Sequence, residues 1–184
     1  MDRDAVAWPP LRDAALEPMG FAPSAAGSWL VFEVDAQVCA IDSRQLRQIA
    51  LAGSIVRLPG PRHPAWPGIV AWQQRALAVL DCGAAMGRHP SLGGAGSRVL
   101  VVQDESRLWA LLVDAVRGLH QENPERLIDV QRGLPPPWNA VRALLPLADA
   151  VGGEVCPILH VPTLWNGCLR PACLQGAGLA ESRA

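Results

Sequence analysis

Apolar residues in this chain fall in short runs of four to seven, cut at regular intervals by turn-forming residues. Trp29–Val34 and Val38–Ile41 flank Asp35-Ala36-Gln37 and read as a hairpin. Ile55–Leu58 reads as a strand stopped by Pro59-Gly60, and Gly68–Trp72 and Arg75–Leu80 as two strands joined through Gln73-Gln74. Arg98–Gln103 and Leu108–Val113 form the clearest hairpin, and Val141–Leu147 and Val155–Val161 close the series. Nearly continuous apolar strands are buried on both faces, which in an antiparallel protein places them between two layers. Pro157 confines the last strand to an edge or a bulge, because it has no amide proton to give a ladder.

Helical signals are few. Leu46, Ile49 and Ala50 fall at helical spacing and predict a short helix from Arg44 to Ile49, with Asp42 or Ser43 as its N-cap. Asp81 is placed to cap a turn over Cys82–Met86, and Pro162–Trp165 to start a terminal helix. After Asp114 the pattern fades through Val116 and Leu119 into a polar, then proline-rich loop ending at Trp138. Residues 1–27 hold Pro9, Pro10, Pro18 and Pro23 and read as a tail, with a short helix at most over Leu11–Leu16. Residues 28–170 read as the folded domain and 171–184 as a second tail. Nine or ten short strands with two or three short helices point to a mainly β fold, as small barrels or a sandwich.

Composition narrows the classes. The 184 residues are 50% hydrophobic and 18% charged, which argues against disorder through the middle of the chain. All 16 basic residues are Arg, set against 17 acids, for a net charge of -1. So neutral a chain is poorly built to grip a phosphate backbone, and no nucleic-acid partner is expected. No run approaches the ~18 apolar residues of a membrane span, and the N-terminus lacks the apolar stretch of a secretory signal. A cytoplasmic protein with no direct membrane insertion is therefore the expectation. Five scattered Cys do not form a secreted disulfide framework.

Four segments, in order, resemble the CheW-like domain of bacterial chemosensory arrays. They are Trp29–Ile49 (WLVFEVDAQVCAIDSRQLRQI), Gly68–Asp81 (GIVAWQQRALAVLD), Leu108–Gly118 (LWALLVDAVRG) and Val155–Trp165 (VCPILHVPTLW). The resemblance implies two small five-stranded β-barrels sharing a hydrophobic core, with a few short helices. It also implies a non-catalytic adaptor without cofactor or metal. Its partners would be the regulatory domain of a CheA-type histidine kinase and the cytoplasmic tip of a methyl-accepting chemoreceptor, at membrane-associated arrays. The family usually carries an Arg-Gly pair where this chain has Gln73-Gln74, and an acid in the segment Leu46-Arg47-Gln48-Ile49. Neutral Gln at both places supplies hydrogen bonds but neither steering charge nor an ion pair. These departures suit a divergent member with shifted partners, in a pilus- or surface-motility-type system or an orphan array.

The resemblance makes Leu46, Gln48, Trp72, Gln73, Gln74 and Arg75 the candidate partner-binding residues. A core role competes for Leu46, and an ordinary solvated turn for the 72–75 tip. Trp29 and Trp109 read as core, whereas Trp66 and Trp138, flanked by prolines, read as exposed anchors. The alternative classes are a small Cys/His-dependent enzyme and a Zn-binding barrel. Cys82 with His89 or His63 would make a nucleophile and base, though no acid or nucleophile turn organises them. Cys156, His160, Cys168 and Cys173 could ligate Zn, but they lack any CxxC pair.

Overall fold

The structure, a computed structural model, describes residues 27–53, 55–57, 64–91, 96–104, 107–130, 133–147 and 154–169. The segments read as terminal tails, His63, Cys173 and residues 105–106 and 148–153 lie outside the described residues.

Two curled sheets form. The first has the order β8-β1-β2-β11-β10-β9, with β1 Ser28–Val34, β2 Gln37–Asp42, β8 Ala115–Gln121, β9 Ile128–Asp129, β10 Val141–Pro146 and β11 Val155–Leu159. The second has the order β3-β6-β7-β5-β4, with β3 Leu46–Leu51, β4 Gly68–Trp72, β5 Arg75–Asp81, β6 Arg98–Asp104 and β7 Arg107–Val113. Alternation along each strand divides the interior into three. Leu30, Phe32, Cys39 and Ile41 of the first sheet meet Leu100, Val102, Trp109 and Leu111 of the second in one shared core. Trp29, Val31, Ala40 and Leu145 fill the curl of the first sheet, and Val79, Val99, Val101 and Leu112 that of the second. The expected mainly β, double-barrel architecture is what the chain adopts, with the two-residue β9 as a sixth strand of the first sheet.

The largest departure is at 44–49. Only Ser43–Gln45 coils, as a 3-10 turn, with the Arg44 amide donating to Asp42 Oδ1 at 2.9 Å. Leu46–Leu51 is a strand, not a helix. It carries a bulge at Arg47: Leu46 pairs with Val102, but Gln48 pairs with Val101. The bulge puts Leu46 and Ile49, three apart, on the same shared core, so a bulged strand produced the spacing of a helix. The segment 115–121, read as leading into a loop, is β8, paired with β1. A second bulge there opposes Val31 and Phe32 to Gly118 and Val116, and the bulged Arg117 bonds Glu33 at 2.6 Å. Only Val56 of the predicted strand at 55–58 joins a ladder, as a single bridge to Ile69, and Leu58 lies outside the described residues. β11 is internal rather than at an edge, but its ladder to β2 registers at one pair, Ile158 with Ala40. The missing proton of Pro157 therefore interrupts no long ladder on that side.

Caps behave as expected elsewhere. Asp81 is fully buried, and its Oδ1 accepts the amides of Ala84 at 3.0 Å and Ser91 at 3.1 Å, anchoring the four-residue α1, Cys82–Ala85. Asp114 accepts the Asp35 amide at 2.5 Å, tying the β1–β2 turn to the β7–β8 connection. The closing helix α2, Val161–Leu169, packs Trp165 against Trp109 and edge-on to Trp66, both at 4.6 Å. Trp29 and Trp109 are core and Trp138 is exposed, but Trp66 is half-buried and donates its indole proton to the Cys168 carbonyl at 3.4 Å. Trp66 thus fixes α2 and is no free anchor.

Candidate partner-docking surface

The second barrel positions the candidate residues. β4 and β5 form a two-residue hairpin in which Trp72 faces Arg75. The tip residues Gln73 and Gln74 take φ of 45° and 61°, both left-handed, as a type I′ turn requires. Both are exposed, as is Arg75. The tip offers amides and one guanidinium, with no acid among these residues.

Below the tip, Val70 and Trp72 point to the barrel interior with Leu77 and Val79. Gln48 reaches the same interior from β3, because the Arg47 bulge turns it toward Val101 rather than toward the shared core. The Trp72 Nε1 donates to Gln48 Oε1 at 2.5 Å, across 24 residues of sequence. Gln48 is 8% exposed and opposite Val101 of the barrel interior, so this indole answers a buried polar group. Beside it, Arg47 Nε bonds Gln103 Oε1 at 2.7 Å on the outer face.

Five of the six predicted residues thus meet at one end of the second barrel: Gln48, Trp72, Gln73, Gln74 and Arg75. Leu46 does not; it is 5% exposed and part of the shared core. Sequence reasoning selected Gln48 and Trp72 separately and missed that they bond each other. It also missed the bridge at the other end of the barrel, where Val56 and Ile69 exchange two hydrogen bonds of 2.9 Å. The signal for that bridge is Gly68, where a Cβ would come 2.2 Å from the Val56 carbonyl oxygen.

The alternative sites do not assemble among the described residues. Cys82 is fully buried and burial pushes its thiol well up, whereas the His89 side chain is 90% exposed and turned to Asp35 Oδ1 at 3.3 Å. Cys156 lies inside the first barrel and Cys168 in the shared core. His160 is bonded to Thr163 Oγ1 at 2.6 Å. Among the described residues no group of three or more His, Cys, Asp or Glu could hold a metal ion.

A β4–β5 tip of this form, on a double barrel built from these four segments, defines a CheW-like domain. The family model for that domain matches residues 28–167, and the chain belongs to the CheW-like family. In fold it is similar to the scaffolding protein TtCheW from Thermoanaerobacter tengcongensis, with a TM-score of 0.63 and 18% identity. That alignment covers 79% of this chain and 90% of the other. Comparison with curated proteins gives no match by sequence. Among the described residues no helix is long and apolar enough to cross a membrane.

Proposed function

We propose that this chain is a non-catalytic adaptor. It joins the cytoplasmic tip of a methyl-accepting chemoreceptor to the regulatory domain of a CheA-type histidine kinase, in the cytoplasm at a receptor array. The observation that carries the reading is the β4–β5 tip. It lies in one of the four segments that resemble the family, it is exposed, and an apolar indole supports it from below. Gln73 and Gln74 supply a neutral hydrogen-bonding rim and Arg75 one charge, and half-buried Trp72 braces them from the barrel interior. With Arg75 the one charge at the tip, docking should depend on salt less steeply than across an interface of several charge pairs. Neutral Gln at 48, 73 and 74 also favours a partner other than the flagellar one, in a pilus- or surface-motility-type system. The competing enzyme reading lacks an accessible thiol among the described residues, because Cys39, Cys82, Cys156 and Cys168 are all buried.

The test is capture by the regulatory domain of a CheA-type histidine kinase from the same organism. Trp72→Ala, which unbraces the tip, should weaken capture about tenfold or more, and Gln73→Ala, which removes a rim contact, by less. Their circular dichroism should remain native. Unchanged capture with an intact fold refutes the assignment of this surface.

A further inference from the structure

The second sheet is open by its backbone. β3 and β4 are its two edges, and each pairs with one neighbour only, β6 and β5 respectively. Among the described residues the edges are joined at two places. At one end the Val56–Ile69 bridge connects the segment after β3 to β4 through backbone groups. At the other end the connection is a single side-chain bond, Trp72 to Gln48. That end is the one from which the 73–74 tip projects.

We propose that Gln48 is a positioning residue whose bond to Trp72 latches β4 to β3 and so holds the tip in its docking orientation. The inference rests on the adaptor reading above and adds a residue that acts on the partner without touching it. Three observations support it. Gln48 is buried, so its contribution reaches the surface through Trp72. The bulge at Arg47 lets both Leu46 and Ile49 face the shared core and in the same step turns Gln48 into the second barrel. Finally, Trp72 is the last residue of β4, so restraining its ring restrains the next residue, Gln73. Without the latch, β4 at the tip is held only by its partner in the hairpin, β5, and a two-stranded ribbon is weakly stable alone. A local opening of that kind changes orientation at the tip while the remainder of the barrel stays folded.

The experiment uses the full chain with Gln48→Met, which keeps length and apolar fit but removes the acceptor, and Gln48→Glu, which keeps an acceptor. Amide exchange is followed at Trp72 and Arg75, the ladder pair nearest the tip, and, as an internal standard, at Val101 and Leu111 in the central strands. Kinase-domain capture is measured in parallel, with Trp72→Phe and the Gln48→Met/Trp72→Phe double variant. In Gln48→Met the tip amides should exchange about tenfold faster, with Val101 and Leu111 unchanged, and capture should fall about fivefold. Gln48→Glu should recover most of both. The double variant should lose no more capture than Gln48→Met alone, since both changes remove the same bond. Unaltered tip exchange in Gln48→Met overturns the latch. Faster tip exchange with full capture, while Trp72→Ala still abolishes it, overturns the positioning role and leaves the adaptor surface standing. If Trp72→Ala also captures normally, the adaptor surface itself is refuted and the inference falls with it.

Discussion

Gln74 holds a backbone conformation that favours glycine. Its φ of 61° puts Cβ close to the following carbonyl, a cost of roughly 1 kcal/mol for an L-residue. Gln74→Gly is therefore expected to raise the urea midpoint by an amount worth about 1 kcal/mol, less what glycine adds to unfolded-chain entropy. A lower midpoint would show that the Gln74 side chain holds the turn by contacts stronger than its strain. Gly68 shows the opposite case. A methyl group there would sit 2.2 Å from the Val56 oxygen, so Gly68→Ala must push the Val56–Ile69 bridge apart. Its expected cost is about 2 kcal/mol or more, for two exposed or broken backbone bonds and a displaced strand. Native stability in Gly68→Ala would mean that the bridge contributes nothing to closing the barrel. The two residues explain a difference in legibility. The need for Gly at 68 depends on Val56, 12 residues upstream, while the strain at Gln74 follows from its own hairpin and could be read locally.

At the scale of elements, hairpins were readable, while the edge strands β3 and β8 were not. β1–β2, β4–β5 and β6–β7 announce themselves because their residues are apolar on both faces or alternate cleanly around a short turn. β8 does not, since it is an edge strand with Arg117, Leu119 and Gln121 exposed and Gly118 in its middle. β3 read as a helix because its bulge places Leu46 and Ile49 on one side. The same bulge hid the site: the Gln48–Trp72 bond exists only once the bulge has re-aimed Gln48 and the sheet has curled. α2 carries a pH dependence that follows from its start. His160 precedes the helix, accepts the Thr163 and Leu164 amides on its carbonyl, and bonds the Thr163 hydroxyl through its ring. Burial, then Arg142 on β10, hold its imidazole below the ordinary value of 6.5, against a smaller opposing pull from Asp104 on β6. A group with a lowered folded pKa takes its proton more readily when unfolded, so its contribution is complete above about 6.5 and is lost as pH falls below that. Urea midpoints should therefore drop between pH 7.5 and 5.5, and His160→Asn should flatten that drop. An equal drop in both proteins would assign it to other groups.

For the whole molecule, the decisive fact is that single strands serve two interiors. In β1, Leu30, Phe32 and Val34 enter the shared core while Trp29 and Val31 fill the first barrel; in β6, Leu100 and Val102 enter the shared core while Val99 and Val101 fill the second. Neither barrel can open without stripping one wall from the shared core, so the two should unfold as one unit. Four buried thiols report on this. Cys156 lies inside the first barrel, and Cys39, Cys82 and Cys168 in the shared core. Burial pushes the Cys39 and Cys156 thiols up to about 12, so neither reacts while folded at pH 8. In a Cys173→Ser chain, a thiol reagent should then label all four at one rate, set by the global equilibrium. Leu111→Ala, a cavity in the shared core, is expected to cost about 3 kcal/mol and to speed all four together by roughly a hundredfold. If Cys156 kept its slow rate while the other three accelerated, the first barrel would be folding independently. Coupling between a partner on the second barrel and any change in the first would then have no shared core to travel through.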